Sequence, residues 1–153
     1  MIKNIFLFTS LLIMTFSCVG TKESQYHSIP FEEQLRTNVD IDLPEVKIVE
    51  NLQELTDLYT KLQDPKYPRS APIPYFDNEN ESMILLKPQL KNHPNGDIEI
   101  IDVLMTGSEV TINYKEIENW EYAEKNQSHP ILIIKINKVA KKVNLNLIKS
   151  NNT

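Results

Sequence analysis

Residues 97–117 read DIEIIDVLMTGSEVTINYKEI, and the order of apolar and polar side chains here decides what fold to expect. Val110, Ile112 and Tyr114 alternate with Thr111, Asn113 and Lys115, the period-two pattern of a strand with one buried face. Thr106-Gly107-Ser108-Glu109 supplies a turn before it. The segment ahead of that turn breaks phase. Ile98 and Ile100 share one face of an extended chain, whereas Ile101, Val103 and Met105 share the other. One extra residue in a strand produces such a switch, so the pattern predicts a β-hairpin over 97–117 with a bulge in its first strand. The bulge would also put Glu99 and Asp102 together on the face away from the core.

Similar signals flank the hairpin. Met83-Ile84-Leu85-Leu86, stopped by Pro88, reads as a central strand buried on both faces, and Ile131-Leu132-Ile133-Ile134 with Ile136 is equally apolar. Val46 and Ile48 mark a short strand, and Val143, Leu145 and Leu147, alternating with Asn144 and Asn146, mark a last one. Asn51 followed by Glu54 resembles a helix capping box. Leu52, Leu55, Leu58, Tyr59 and Leu62 then recur at helical spacing, which predicts a helix over 52–63 ended by Asp64-Pro65. Six of the nine prolines lie between Pro65 and Pro94, making 65–75 an extended loop. The expected fold class is α+β, with one main helix packed on an antiparallel sheet of about five or six strands.

The length of 153 residues suits one domain. Sixteen basic and 21 acidic side chains give a net charge of −5, which argues against a broad phosphate-binding surface and hence against nucleic acid as a partner. One cysteine excludes an internal disulfide framework and a multi-thiolate metal site. His27, His93 and His129 have no ligand-like spacing, so neither a metal nor a cofactor is expected.

The N-terminus carries a different kind of message. Lys3 precedes an apolar run from Ile5 to Phe16, too short to span roughly 30 Å of hydrocarbon but the length of a secretory signal core. Ser17-Cys18 closes it, and Cys18 is the one cysteine of the chain. A small residue before a lone cysteine at this place resembles a bacterial lipobox, in which the cysteine is acylated and becomes the new N-terminus. Acyl chains contribute about 0.8 kcal/mol per buried methylene, so two or three of them anchor durably. The resulting division is a signal peptide at 1–17, an acylated Cys18 with a flexible tether to 42, one domain at 43–149 and a tail at 150–153. The protein would be a lipoprotein of a bacterial cell envelope, its domain in the periplasm or at the cell surface.

The order of elements also carries a resemblance. Helix Leu52/Leu55/Leu58, the Tyr75-Phe76-Asp77 step before the buried strand, hairpin 97–117 and the run from Pro130 to Lys138 together resemble the C-terminal domain of the PrcB family. The likeness spans about 45–138. That family consists of accessory subunits of a secreted protease complex, which implies a non-catalytic, partner-binding protein. Asn95-Gly96-Asp97 stands where the family carries a Gly-Gly-aromatic step.

No nucleophile, base and orienting group are grouped by motif, so an enzyme is not expected. Residues 97–124 hold eight acids and one lysine, Lys115, which reads first as a solvated face. Lys135, Lys138, Lys141, Lys142 and Lys149 read first as protection of an edge strand. Trp120 and Tyr122, in a polar segment, are candidate interface anchors together with Tyr67, Tyr75 and Phe76. The function expected is a membrane-anchored interaction or accessory subunit with a protein partner. The alternative is an anchored binding module for a small ligand or glycan.

Overall fold

The computed structural model describes residues 26–63, 72–122 and 127–149, without the side chain of Tyr122. The signal segment, Cys18, Tyr67 and the tail from 150 lie outside the described residues. In chain order the strands are β1 (His27–Ser28), β2 (Phe31–Asn38), β3 (Val46–Val49), β4 (Ser82–Leu86), β5 (Asp97–Thr106), β6 (Glu109–Ile117), β7 (Pro130–Ile136) and β8 (Lys142–Leu147). One helix, α1 (Leu52–Leu62), follows β3, and a 3-10 turn occupies Trp120–Tyr122. The strands form two four-stranded sheets, ordered β1-β5-β6-β8 and β2-β7-β4-β3. Strand makes up 46% and helix 12% of the described residues. The expected α+β fold of one helix on a single five-to-six-strand sheet is therefore corrected to a mostly β sandwich with a helix outside it.

The sequence pattern is compatible with either arrangement, because alternation shows that a strand has a buried face without showing which sheet covers it. β4 and β7 sit in the middle of the second sheet and are buried on both faces, as continuous apolar runs require. One face, with Ile84, Leu86, Leu132, Ile134 and Ile136, meets Ile98, Val103, Val110, Ile112 and Tyr114 of the first sheet. The other face, with Met83, Leu85, Ile131 and Ile133, meets Leu55, Leu58, Tyr59 and Leu62 of α1 and Phe76. The layers are thus sheet, sheet, helix. β8 lies parallel to β6, another departure from the all-antiparallel expectation.

β5 and β6 pair as a hairpin whose register shifts between Ile100 and Asp102, leaving Ile101 as the extra, exposed residue. The bulge falls where the sequence changes phase. Gly107 turns the hairpin with a φ of 59°, a conformation open to glycine. Asn51 caps α1 by accepting the Glu54 N–H at 2.9 Å, while the Glu54 carboxylate accepts the Glu50 N–H at 2.7 Å and pairs with Lys47.

Within the stretch 18–42 expected to be a tether, the described residues form two strands. β1 pairs with β5, and β2 pairs with β7 along the edge of the second sheet. A second bulge hid β2: register shifts between Glu33 and Leu35, so Phe31 packs between the sheets and Leu35 against the helix layer. Two apolar side chains four residues apart on opposite faces leave no period to read.

Candidate functional site

On the inner face of β6 the series Val110, Ile112, Tyr114 ends in Glu116, a carboxylate in an apolar phase and 6% exposed. A buried carboxylate persists only when partnered. Glu116 Oε1 accepts the Lys91 N–H at 2.8 Å, and Oε2 accepts those of Asn92 and His93 at 2.5 and 2.8 Å. Burial alone would push the Glu116 pKa up, but these three N–H groups and the neighbouring His93 more than offset it. The group is held below the ordinary carboxylate value.

The loop fixed by Glu116 runs into a tight turn. Gly96 N–H donates to His93 O at 2.8 Å across Pro94 and Asn95, and Pro94 O accepts the Ser128 N–H at 2.7 Å. Space requires the glycine: a Cβ at position 96 would stand 2.2 Å from Ile117 O and 2.8 Å from His93 Cβ.

The chain leaves β6 at Ile117 and passes beside this loop. Asn119 Oδ1 accepts the Glu121 N–H at 3.0 Å, supporting the 3-10 turn, and Asn119 Nδ2 reaches Asp97 Oδ2 at 3.4 Å. Asp97, 4% exposed, is itself fixed by Arg36 Nη1 at 2.9 Å and by the Ile98 N–H at 2.7 Å. Between loop and turn lies an open cleft of about 800 Å³, lined by Asn92, His93, Asn95, Glu118, Asn119 and Trp120. The indole of Trp120 is 84% exposed at its margin.

Of the aromatic residues singled out by sequence, Trp120 belongs to this cleft, and the Tyr122 backbone to the turn that carries it. Tyr75 is 78% exposed but is not part of the cleft lining, and Phe76 is 5% exposed in the core beneath α1. The aromatic-Asp step thus points in two directions, one ring to solvent and one inward, and Phe76 does not present its ring to a partner. Glu116, Asn92, His93 and Asn119 carry the cleft without having been picked out. The available signal was a glutamate in phase with Val110, Ile112 and Tyr114.

Several charges of these stretches are paired. Glu99 contacts Lys115 at 3.1 Å and Asp102 accepts the Asn113 amide at 2.6 Å, placing both acids on the outer face of the first sheet. Asn146 joins Asn113 at 2.8 Å, and Glu109 accepts Lys142 at 2.8 Å and Asn144 at 2.6 Å, a polar ladder across β5, β6 and β8. Lys135 lies on the interior strand β7 and meets Glu32 and Glu81 at 3.4 and 3.6 Å, so it protects no edge. His129 lines a separate hollow of about 260 Å³ with Asp40, Lys87 and Ser128. There Asp40 Oδ1 stands 3.8 Å from His129 Nε2, and the buried Ser128 hydroxyl has no hydrogen-bond partner among the described residues.

Among the described residues no group of three or more His, Cys, Asp or Glu is placed to hold a metal ion. No helix among them is long and apolar enough to cross a membrane. No family model, no curated protein and no solved structure matches this chain.

Proposed function

We propose that this chain is a lipid-anchored, non-catalytic recognition protein of a bacterial cell envelope, acylated at Cys18 and binding another envelope component through the Trp120 cleft. The anchor is read from the apolar run 5–16 closed by Ser17-Cys18. Recognition rests on one observation, an 84% exposed indole beside a cleft whose floor is fixed by a buried carboxylate. Exposing a large ring on a rigid base loses apolar burial with nothing gained in folding, and such rings are the usual anchors of binding surfaces. Tyr26 is the first described residue, and eight peptide units of about 3.6 Å keep it within roughly 29 Å of an acylated Cys18.

A photo-crosslinking amino acid at position 120, in cells expressing the full chain, tests the reading. Irradiation should give a discrete adduct in the membrane fraction, absent when the probe replaces Thr111 on the outer sheet face. Cys18→Ser should move the protein out of that fraction and abolish the adduct. An unanchored wild type, or no adduct at 120, refutes it.

A further inference from the structure

We infer that the Trp120 cleft binds a neutral oligosaccharide. This rests on the recognition reading above and names the ligand of that site. A pyranose presents an apolar face of C–H groups and a rim of hydroxyls. The C–H groups carry partial positive charge and suit the negative face of an indole. Each hydroxyl both donates and accepts, and so does each primary amide. The cleft supplies both halves of that description, with Trp120 at its margin and Asn92, Asn95 and Asn119 among its lining residues, the Asn119 amide also holding Glu121 and Asp97.

Charge narrows the class. Among the described residues, Glu118 lines the cleft and no lysine or arginine does. A phosphate, sulfate or carboxylate would enter against a like charge, with no permanently charged cation among the described lining residues to receive it, so anionic sugars and nucleotides are disfavoured. Neutral hexoses and N-acetylhexosamines meet no such penalty. The volume of about 800 Å³ lies within the range of about 300–1,000 Å³ over which small-molecule sites fall. Rigidity favours the same ligand. Sugars bind through many weak contacts, and a floor already held by Glu116, by the Gly96 turn and by the Pro94–Ser128 hydrogen bond loses little entropy on closing around one.

Trp120 is the one tryptophan of the chain, so intrinsic fluorescence reports the cleft directly. The purified full chain, in a detergent without a sugar headgroup, is titrated with chitotriose, cellotetraose and maltotetraose, and with sialyllactose and adenosine as comparators. The expected result is a saturable blue shift and reduced acrylamide quenching with at least one neutral oligosaccharide and with neither comparator. Calorimetry should show Trp120→Ala weakening that binding by at least about tenfold, the loss of one stacked ring. Glu118→Gln should improve the affinity for sialyllactose. Silence with all three neutral oligosaccharides, a response to adenosine alone, or undiminished binding by folded Trp120→Ala overturns the inference. If such silence accompanies a protease-sensitive adduct at position 120, the saccharide is wrong and the recognition reading stands. If there is no adduct either, both fail.

Discussion

Glu116 shows how one side chain links the core to the site. Its position in β6 belongs to the apolar stripe that fills the sandwich, yet its carboxylate is satisfied by three successive backbone N–H groups of the loop below Trp120. Hydrogen bonds to an ionised group contribute more than neutral ones, so removing the charge should be expensive. Glu116→Gln keeps the shape but puts an NH2 group among donors, and is expected to lower stability by about 3 kcal/mol at pH 7. The sign of the pH dependence follows from the direction of the shift. Because folding holds this carboxylate below its ordinary pKa, its contribution is complete above about pH 4.5 and fades as pH falls through the lower folded value. Urea denaturation of wild type and Glu116→Gln should therefore give a gap that is constant from pH 7 to 5 and closes towards pH 3. A gap unchanged at pH 3 would mean that shape, not charge, holds the loop. This residue was legible in the sequence as an anomaly. Its partners were not, because backbone N–H groups leave no trace in side-chain chemistry.

At the level of elements, the two bulges had opposite effects on what could be read. In β5 the strand is apolar on its inner face before and after Ile101, so an extra residue appears as a clean change of phase between two strong patterns. In β2 the strand is polar and lies at an edge, and the bulge between Glu33 and Leu35 divides its apolar residues between two cores. A segment with one apolar residue per face has no period, and it resembles a tether. The capped helix and the runs of β4 and β7 were legible because local spacing defines them. The division into two sheets depends on pairings between strands distant in sequence, such as β2 with β7 and β6 with β8, and no local pattern encodes those. The β5 bulge has a consequence of its own. Among the described residues, away from β6, β5 pairs only at Leu104 and Met105, apart from the Ile29 N–H donated to Val103 O at 2.9 Å and the Arg36 hydrogen bond to Ile98 O. Deleting Ile101 brings Asp102 next to Ile100 and restores strict alternation, so every inner side chain keeps its face. The deletion should fold with a loss below about 1.5 kcal/mol, whereas deleting Leu104, which flips one side of its neighbours outward, should prevent folding. The straightened edge should also pair more readily with a second chain, seen as concentration-dependent association by sedimentation. A Leu104 deletion as stable as the Ile101 deletion would contradict this account of the bulge.

Over the whole molecule, the chain itself joins the two sheets at the β1–β2, β4–β5, β6–β7 and β7–β8 connections, the shortest being Ile29-Pro30, and Arg36 adds a side-chain tie near the start of β5. The bulge in β2 places Arg36 opposite Leu132, on the side that faces the other sheet. From there Nη1 reaches Asp97 Oδ1 and Ile98 O, both at 2.9 Å, at the start of β5. Nε and Nη2 hold Glu33 at 2.8 and 2.7 Å. The hydrogen bonds to Glu33, with the attraction of Asp97, outweigh partial burial and raise the Arg36 pKa above its ordinary value, so this cation is permanent. Asp97 is the more buried partner, and stranding it should dominate the energetics. Arg36→Met is expected to destabilise by about 2–4 kcal/mol, at the lower end because Arg36 is itself a third exposed. Adding Asp97→Asn removes the orphaned charge and should recover most of that loss, giving a coupling of about 2 kcal/mol in a double-mutant cycle. Asp97 also accepts the Asn119 amide that underlies the Trp120 turn, so the loss should travel. Hydrogen exchange in Arg36→Met should speed up at 118–122 as well as along β2, while the amides of α1, packed on the far face of the second sheet, keep their protection. Additive single mutants, or exchange that rises along β2 alone, would show that Arg36 fastens only its own strand and that the cleft is built without it.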